Sequence, residues 1–600
     1  MATHHLHQAR ATTPFTAADR ALRSKKDHDA VRDIWLLLAS VLAFFTVVNV
    51  VRKVYAKFSI GRSTVTEVSG GDPEKSETVA QRQPGSRLHR LYSALATTFR
   101  IVAFRLPVPI GPNAFASVSE LTFIFVYIAT NLLWLFIDTR RLNVNFYKSR
   151  AGIMASAQLP LVVALASKNN VISWMTGVSH EKLNVLHRAA GRTMFLLLWI
   201  HTIGRAVTTL PPKVSFDDYF MEAGIVGIGA LTAGVFLSLN IFRQALFEFF
   251  FVTHFVLMLI FLIGGYIHLH EQGYGSYVWP ALLVWGVDRV FRTIRLIWHN
   301  LFRLDESAKG QAQVELLASD TIRLTFRRKF HWKPGQHAYI SLPKISKLPS
   351  ESHPFTIASI PGNIDGTESQ EQDIVFLIRS RGGLTRRLKE FTDKSGTGSV
   401  AAYIDGPYGC PPDLHQYTTC VLVAGGSGIS YTLPLLLDLI RRSAIGGSSE
   451  VRRVVFIWAV RGDGQLPWIT EALSKALPLV KHPLVVETRI YITGTDVPPT
   501  TWPAESSNSI SKSEKDQVFV EPESTGNTPQ IHHGRPNIAS LLHDEISASL
   551  GSVSVDVAGP GAMTASVREA LTTGAASPGA VLKGSPSVTL HVETFGMVRA

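Results

Sequence analysis

Four histidines lie at regular intervals within apolar sequence. His187 and His201 fall on one predicted helix and His254 and His268 on another, each pair 14 residues apart. At about 1.5 Å rise and about 100° per residue, fourteen steps advance roughly 21 Å along a helix and return within about 40° of the same face. Each helix therefore offers two imidazoles, one near each leaflet of a hydrocarbon core about 30 Å thick. Two such helices facing each other make two stacked histidine pairs, and iron held between two imidazoles in a flat tetrapyrrole fits that geometry, giving two b-type haems. Such iron has no open position, so it accepts and donates single electrons. A lone intramembrane histidine is more simply a packing or proton-relay group; the repeated interval is what favours the metal. His270 lies about 160° round the helix from His254 and belongs to another face, and His180 precedes its span.

The elements that must carry these ligands are apolar runs of about twenty residues. They begin near Ile34, Ser117, Gly152, His187, Glu222, Leu246 and Tyr277, which predicts seven spans. After about Arg303 none recurs, so the 600-residue chain, 46% apolar, divides into a membrane half and a soluble half. Only Cys410 and Cys420 are present, which excludes a disulfide framework, a cysteine metal cluster and covalent CxxCH haem, and suits a cytosolic location for the soluble half. The net charge of +13 is scattered over helix ends and loops, a pattern for membrane lipid headgroups and not for nucleic acid. The polar first thirty residues are no cleaved signal, and the Ile34 run reads as an uncleaved first span. Residues 61–90 read as a hydrophilic loop, and the Ser/Pro/Thr/Glu-rich tract 496–533 as a disordered insertion.

In the soluble half, "TIRLTF", "HAYISL" and "DIVFLI" are short strands between turn clusters, as in a small antiparallel barrel. From Thr418 the pattern becomes strand, glycine turn, helix, strand, the alternation of a parallel sheet. "HPFTIAS" (353–359) follows a barrel strand and supplies hydroxyls and backbone donors in an extended run. "RSRGGLTRRL" sets Gly382, Gly383 and Thr385 ahead of a helix, where amides and the helix dipole favour phosphate. In "VLVAGGSGIS", Gly425, Gly426 and Gly428 allow close approach to a pyrophosphate.

Taken in order, "HRAAGR…H", "H…H", "HPFTIAS", "GPYG", "GGSGIS", "GRPN" and "ETFGM" resemble the ferric reductase and NADPH oxidase superfamily over about residues 117–600. The resemblance implies a multi-domain membrane protein. A seven-helix α transmembrane bundle would join a cytosolic antiparallel β-barrel FAD domain and an α/β parallel-sheet NADPH domain similar to ferredoxin–NADP reductase. The boundaries expected are 1–116 for the N-terminal segment, 117–302 for the haem domain, 303–412 for the FAD domain and 413–600 for the NADPH domain.

The same resemblance implies that His353, Pro354, Phe355, Thr356 and Ser359 hold FAD, with Gly383 and Thr385 near its pyrophosphate. Gly425, Gly426, Ser427, Gly428 and Ile429 would cradle the NADPH pyrophosphate, and Arg461 and Arg535 would meet its 2′-phosphate. Gly406 to Gly409 is similar to the loop between the two nucleotide domains, and Phe595 to the aromatic residue that covers the flavin. Two positions depart from the family pattern: Ala558 stands where the family has a reactive cysteine, and Met597 where many reductases have tryptophan.

The implied activity is a metalloreductase that passes electrons from NADPH through FAD and two haems to ferric or cupric chelates outside the plasma membrane. The alternatives are an NADPH oxidase acting on dioxygen, and a haem protein serving as an assembly subunit. Arg192, Arg205, Arg289, Arg292 and Arg295 are candidate partners of haem propionates. Arg140, Arg141 and Arg150 are expected to face outward and attract anionic chelates.

Overall fold

The computed structural model describes residues 16–59, 86–111, 114–137, 139, 143–208, 214–302, 310–348, 351–367, 372–396, 398–494 and 528–593. The first half runs α1 (Ala17–Ser59), α2 (Arg87–Arg100), a π-helical turn (Ile101–Arg105), a hairpin of β1 (Pro107–Gly111) and β2 (Ala114–Ser117), then α3 (Val118–Phe136), α4 (Val144–Ala157), α5 (Leu159–Ala166), α6 (Val171–Thr176), α7 (His180–Ala206), α8 (Tyr219–Leu237), α9 (Asn240–Ala245), α10 (Phe247–His270) and α11 (Trp279–Ile297). Residues 1–51 and 120–291 form one compact unit; 52–119 and 292–600 form the other.

Among the described residues, five helical stretches are long and apolar enough to cross a membrane: Ala17–Val54, Val118–Phe136, Val144–Ala166, Tyr219–Leu237 and Phe247–His270. The two remaining predicted spans correspond to α7 and α11, where Arg188, Arg192 and Arg205, and Asp288, Arg289, Arg292 and Arg295, dilute the apolar character. In the membrane unit α4 and α5 pack on α7, and α10 packs on α8. Leu135, Ala151, Met154, Ala155, Leu197 and Leu231 are in its core. Small residues on α4, among them Ala151, Gly152 and Ala155, let α7 come close. A Cβ on Gly204 would already lie 2.7 Å from Lys148 Cβ.

One expectation is corrected here. Helix α1 begins at Ala17, ahead of the apolar run from Ile34, and in its polar part Asp27, 2% exposed, pairs with Arg150 at 3.3 Å. Arg150 is therefore no surface lure for chelates. It is 1% exposed, and its Nη1 donates to the carbonyls of Trp134, Leu135 and Ile137 at the end of α3, where helical carbonyls lack intrahelical partners. Arg140 and Arg141 lie outside the described residues.

The second unit holds the expected antiparallel and parallel β-architectures. β3 (Gln311–Ala318), β4 (Thr321–Arg328), β7 (Gln372–Arg379) and β8 (Gly398–Ala401) form a four-stranded sheet. β5 (His337–Ser341), β6 (His353–Thr356) and β9 (Tyr403–Tyr408) form a three-stranded one. Leu324, Phe326, Ile340, Phe376 and Ile404 share one core between them, beside helix α12 (Gly383–Ser395). Asn300 fastens the chain after α11 to this domain: its Nδ2 donates to Ile404 O at 2.7 Å, and its Oδ1 accepts from Arg328 at 2.5 Å.

Next comes a six-stranded parallel sheet ordered β13-β12-β11-β10-β14-β15. It is built from β10 (Thr419–Gly425), β11 (Arg453–Val460), β12 (Val485–Ile492), β13 (Gln530–His533), β14 (Val553–Ala558) and β15 (Val588–Glu593). Helices α13 (Ile429–Ala444), α14 (Thr470–Ala476), α15 (Ile538–Ala548), α16 (Gly561–Ala570) and α17 (Pro578–Lys583) accompany it. The central strands are buried along their whole length, which explains their continuous apolar runs. The predicted insertion 496–533 is too long at its far end: Gln530–His533 is an edge strand, and His532 stacks on Tyr491 at 4.9 Å. The residues before 528 lie outside the described part. Likewise residues 86–90, read as loop, open helix α2, capped by Ser86.

Candidate functional site

The histidine pairs are built by helix contacts that the sequence does not display. Nδ1 of His187 donates to Val162 O at 2.8 Å, His201 to Lys148 O at 2.8 Å, and His268 to Phe220 O at 2.9 Å. A carbonyl only accepts, so the proton sits on Nδ1 and the Nε2 lone pair is left for a metal. Lys148 and Val162 repeat the fourteen-residue interval on the neighbouring α4–α5 stretch. Nδ1 of His254 lies 4.0 Å from where a Gly234 Cβ would be, and Gly234 stands fourteen residues after Phe220 on α8.

Two glycines make room. A Cβ on Gly152 would stand 2.7 Å from His201 Nδ1, and one on Gly224 would stand 2.7 Å from His268 Nδ1. The rings of His201 and His268 are 6.4 Å apart between centroids and nearly perpendicular, at 77°. Two metal–imidazole bonds of about 2.0 Å, each extended about 1.1 Å to the ring centre, need about 6.2 Å. The residues present thus fit a bis-histidine iron. His254 lies close enough to His187 for their charges to interact. His270 stacks on Tyr266 at 5.3 Å, away from both pairs, as its helical phase predicts.

Of the five arginines proposed for propionates, four are engaged otherwise, Arg205 donating to Ser149 Oγ at 3.3 Å. Arg289 bonds Asp288, and Arg292 and Arg295 bond Asp405 at 2.9 and 2.8 Å. Asp405 is buried; burial pushes its carboxyl up, but Arg295 and Arg292 together hold it below the usual carboxylate range. Arg295 also lies over the Tyr408 ring at 4.4 Å, and Tyr408 stacks on His337. Arg205 stays near His201, with Lys148, and Arg192 sits with Arg188 and Arg243. Lys148, Arg188 and Arg243 are cations that the sequence reading missed.

His353, Pro354, Phe355 and Thr356 all lie on β6, paired with β5 from His353↔Ile340 to Thr356↔His337. His353 Nε2 is 3.0 Å from Glu351, which also accepts from Lys347 N and Arg387. Burial pushes the Glu351 carboxyl up, and these partners, His353 first, bring it below its ordinary value. Glu351 and Arg387 brace the strand, a role their sequence positions did not signal. The Ser359 hydroxyl is spent on β7, donating to Asp373 O at 2.9 Å and accepting from Val375 N at 3.1 Å. Thr385 closes its own turn, donating to Gly382 O at 2.9 Å, while Gly383 takes a φ of 53° with open space around it.

The glycine turn after β10 meets the turn after β14, on the two strands where sheet order changes direction, the usual ligand crevice of such sheets. A Cβ on Gly428 would lie 1.9 Å from Ala558 O, and one on Gly425 would lie 2.6 Å from Pro560 Cδ. Gly426 needs its glycine for φ, which is 53°. Its carbonyl accepts from Trp458 Nε1 at 3.0 Å, and Ser427 O accepts from the Ser430 hydroxyl. Ile429 begins α13. Arg461 follows β11 and Arg535 follows β13, both at the carboxyl edge of the sheet that carries the glycine turn. Phe595 and Met597 lie outside the described residues.

Asp556, fully buried on β14, accepts from Ser554 Oγ at 2.7 Å. Burial raises its carboxyl from 3.8 to about 6, opposed by His591 and Ser554. The folded chain therefore holds this proton more tightly than the unfolded one. The stabilisation is complete below pH 3.8 and is lost as pH rises through about 6. Asp556→Asn, which imitates the protonated acid, is expected to stabilise this domain at pH 7.5 by on the order of 3 kcal/mol at most. It is expected to do almost nothing near pH 4; calorimetric melting of the two proteins at both pH values checks it.

Paired imidazoles in an apolar helical unit, joined in one chain to an antiparallel β-domain and a parallel nucleotide-type sheet, define a membrane-bound redox protein. Family models agree segment by segment: "Ferric reductase like transmembrane component" matches residues 151–265, "FAD-binding domain" matches 307–412, and "Ferric reductase NAD binding domain" matches 417–572. The chain thus carries segments similar to a ferric reductase transmembrane component, an FAD-binding domain and a ferric reductase NAD-binding domain, and the curated proteins it resembles are fungal ferric reductases. It is 33% identical over 361 residues to the "Probable cell surface ferric reductase kap2" of Aspergillus oryzae, an alignment covering 58% of this chain and 47% of that one. It is 29% identical over 440 residues to the "Ferric/cupric reductase transmembrane component 2" of Saccharomyces cerevisiae, covering 70% and 58% respectively. The chain thus spans about half the length of these curated relatives.

Proposed function

We propose that this chain is an NADPH-dependent metalloreductase of the plasma membrane, passing electrons from cytosolic NADPH through FAD and two b-type haems to ferric or cupric chelates on the opposite face. The observation that carries the reading is the two histidine pairs, three of whose four imidazoles have Nδ1 anchored to backbone carbonyls on adjacent helices. Bound flavin converts a two-electron hydride into single electrons, and bound haem carries these one at a time.

The chain's own residues do the positioning. His187 and His254 present Nε2 to an inner iron, and His201 and His268 to an outer one. Lys148 and Arg205 lie beside the outer pair, and Arg188, Arg192 and Arg243 near the inner one, cations suited to propionate carboxylates. The β6 segment from His353 to Thr356 borders the flavin, with Ser359 holding its end to β7 and Gly383 and Thr385 shaping the pyrophosphate turn. Gly425 to Ile429 receive the nucleotide pyrophosphate, Arg461 and Arg535 its 2′-phosphate, and Phe595 yields the flavin face to nicotinamide. We keep the seven-span count and domain boundaries at 116, 302 and 412 as part of this reading.

The names of the aligned relatives favour metal over dioxygen as acceptor. Purified full-length protein supplied with NADPH and ferric citrate is expected to produce ferrous iron under argon at the rate seen in air. Turnover that stops without oxygen would instead assign it as an oxidase.

A further inference from the structure

Helix α2 has two faces of opposite character, and one of them has a partner in this chain. Ala94, Thr97, Ile101 and Ala103 are buried where α2 and its π-helical turn lie against α17. The side is bolted by Arg105, 2% exposed, which donates to Leu571 O and Val588 O, both at 2.6 Å. Arg568 returns a bond to Phe104 O at 2.9 Å. Burial, with Arg100 nearby, brings the Arg105 guanidinium down to about 10, so it remains charged at neutral pH.

The other face is apolar and open. Leu88, Leu91, Tyr92, Leu95, Phe99 and Val102 follow the helical repeat, and Leu88, Tyr92, Leu95 and Phe99 are 80, 73, 62 and 64% exposed. Arg87 flanks the stripe at its start, Arg100 donates to Val588 O at 3.5 Å on the protein side, and α2 contains no acidic residue. A basic helix with an apolar stripe is the composition that lies in a membrane interface with its apolar side among the acyl chains. Chain continuity puts a bilayer within reach: α2 lies between the apolar stretches Ala17–Val54 and Val118–Phe136, and the second begins directly after the β1–β2 hairpin.

We propose that α2 is an interfacial helix that inserts its Leu88–Val102 stripe into the anionic leaflet facing the dehydrogenase and so holds the NADPH-binding domain to the membrane surface. The open face takes the lipid, and the Arg105 face takes the protein. This rests on the membrane-spanning reading and not on the identity of the electron acceptor. Its failure would leave metal reduction untouched.

The test uses the full-length chain with Cys410→Ser, so that nitroxide attaches only at Leu95→Cys, Phe99→Cys or, as a control, Lys475→Cys, whose native side chain is 65% exposed. Cys420 is fully buried and stays unlabelled. In nanodiscs containing phosphatidylserine, labels at 95 and 99 are expected to collide with oxygen and be shielded from a water-soluble nickel chelate. Their oxygen-to-nickel ratio should stand several-fold above the control. Arg87→Gln, or molar salt, should lower that ratio, because headgroup attraction is removed or screened. Nickel access at 95 and 99 equal to that at 475 would overturn the proposal. So would equal shielding in pure phosphatidylcholine, or oxidative crosslinking of Leu95→Cys between copies, which would make a second chain the occupant.

Discussion

Replacing His201 by alanine is expected to leave NADPH bleaching of the flavin at its wild-type rate and to lower ferric-chelate reduction by more than about 100-fold. Loss of a hydrogen-bond partner behind a metal ligand already costs about 10–100-fold in affinity or activity, and the ligand itself must cost more. The separation of the two readouts is the point of the measurement: stopped-flow flavin absorbance reports the dehydrogenase, and ferrous-chelate formation reports the outer pair. Gly152→Ala should give a graded version of the same defect. Its new Cβ would compete for the space 2.7 Å from His201 Nδ1, pushing the ring from the Lys148 carbonyl without removing it. Chelate reduction that survives His201→Ala intact would break the assignment of His201 and His268 as one pair.

The second large effect is expected at the nucleotide turn. Gly428→Ala places a methyl 1.9 Å from Ala558 O, a main-chain atom that cannot rotate away. The turn must part from β14, and NADPH-driven flavin reduction should fall by about 100-fold or more, with a lowered melting temperature. Gly426→Ala is the discriminating companion. Its Cβ would meet nothing within 4 Å, so the cost is confined to the left-handed backbone, about 1–2 kcal/mol. A Gly428→Ala protein as active as the Gly426→Ala protein would show that the two turns separate freely.

The facing of His201 and His268 was legible because an interval on a helix fixes a face, and a repeated interval on two helices fixes two depths. The carbonyl acceptors on Lys148, Val162 and Phe220 were not, since a backbone oxygen carries no side-chain signature. Gly152 and Gly224 were a readable trace: glycines within apolar helices that need no turn there mark close approach. Strands β4, β5, β7, β10 and β11 were legible from alternation or continuous apolarity. Strand β13 was not, because four residues, only Ile531 of them apolar, ending a low-complexity tract gain their pairing only from the edge of β12. Arg150 shows the limit most clearly. A charge beside a span reads as surface until Asp27, 123 residues earlier, and the carbonyl end of α3 are brought to it.

The bolt at Arg105 has a topological consequence. The chain departs from the dehydrogenase module after Ser119 and is back in it at Arg292, which bonds Asp405. A path that starts and finishes on one side of a sheet must pierce that sheet an even number of times. Four or six traverses between those points are admissible; five or seven are not. In the proposed seven-span count the seventh helix is α1, upstream of that circuit, and it would be the single unpaired passage, carrying the amino end of α1 to the far side.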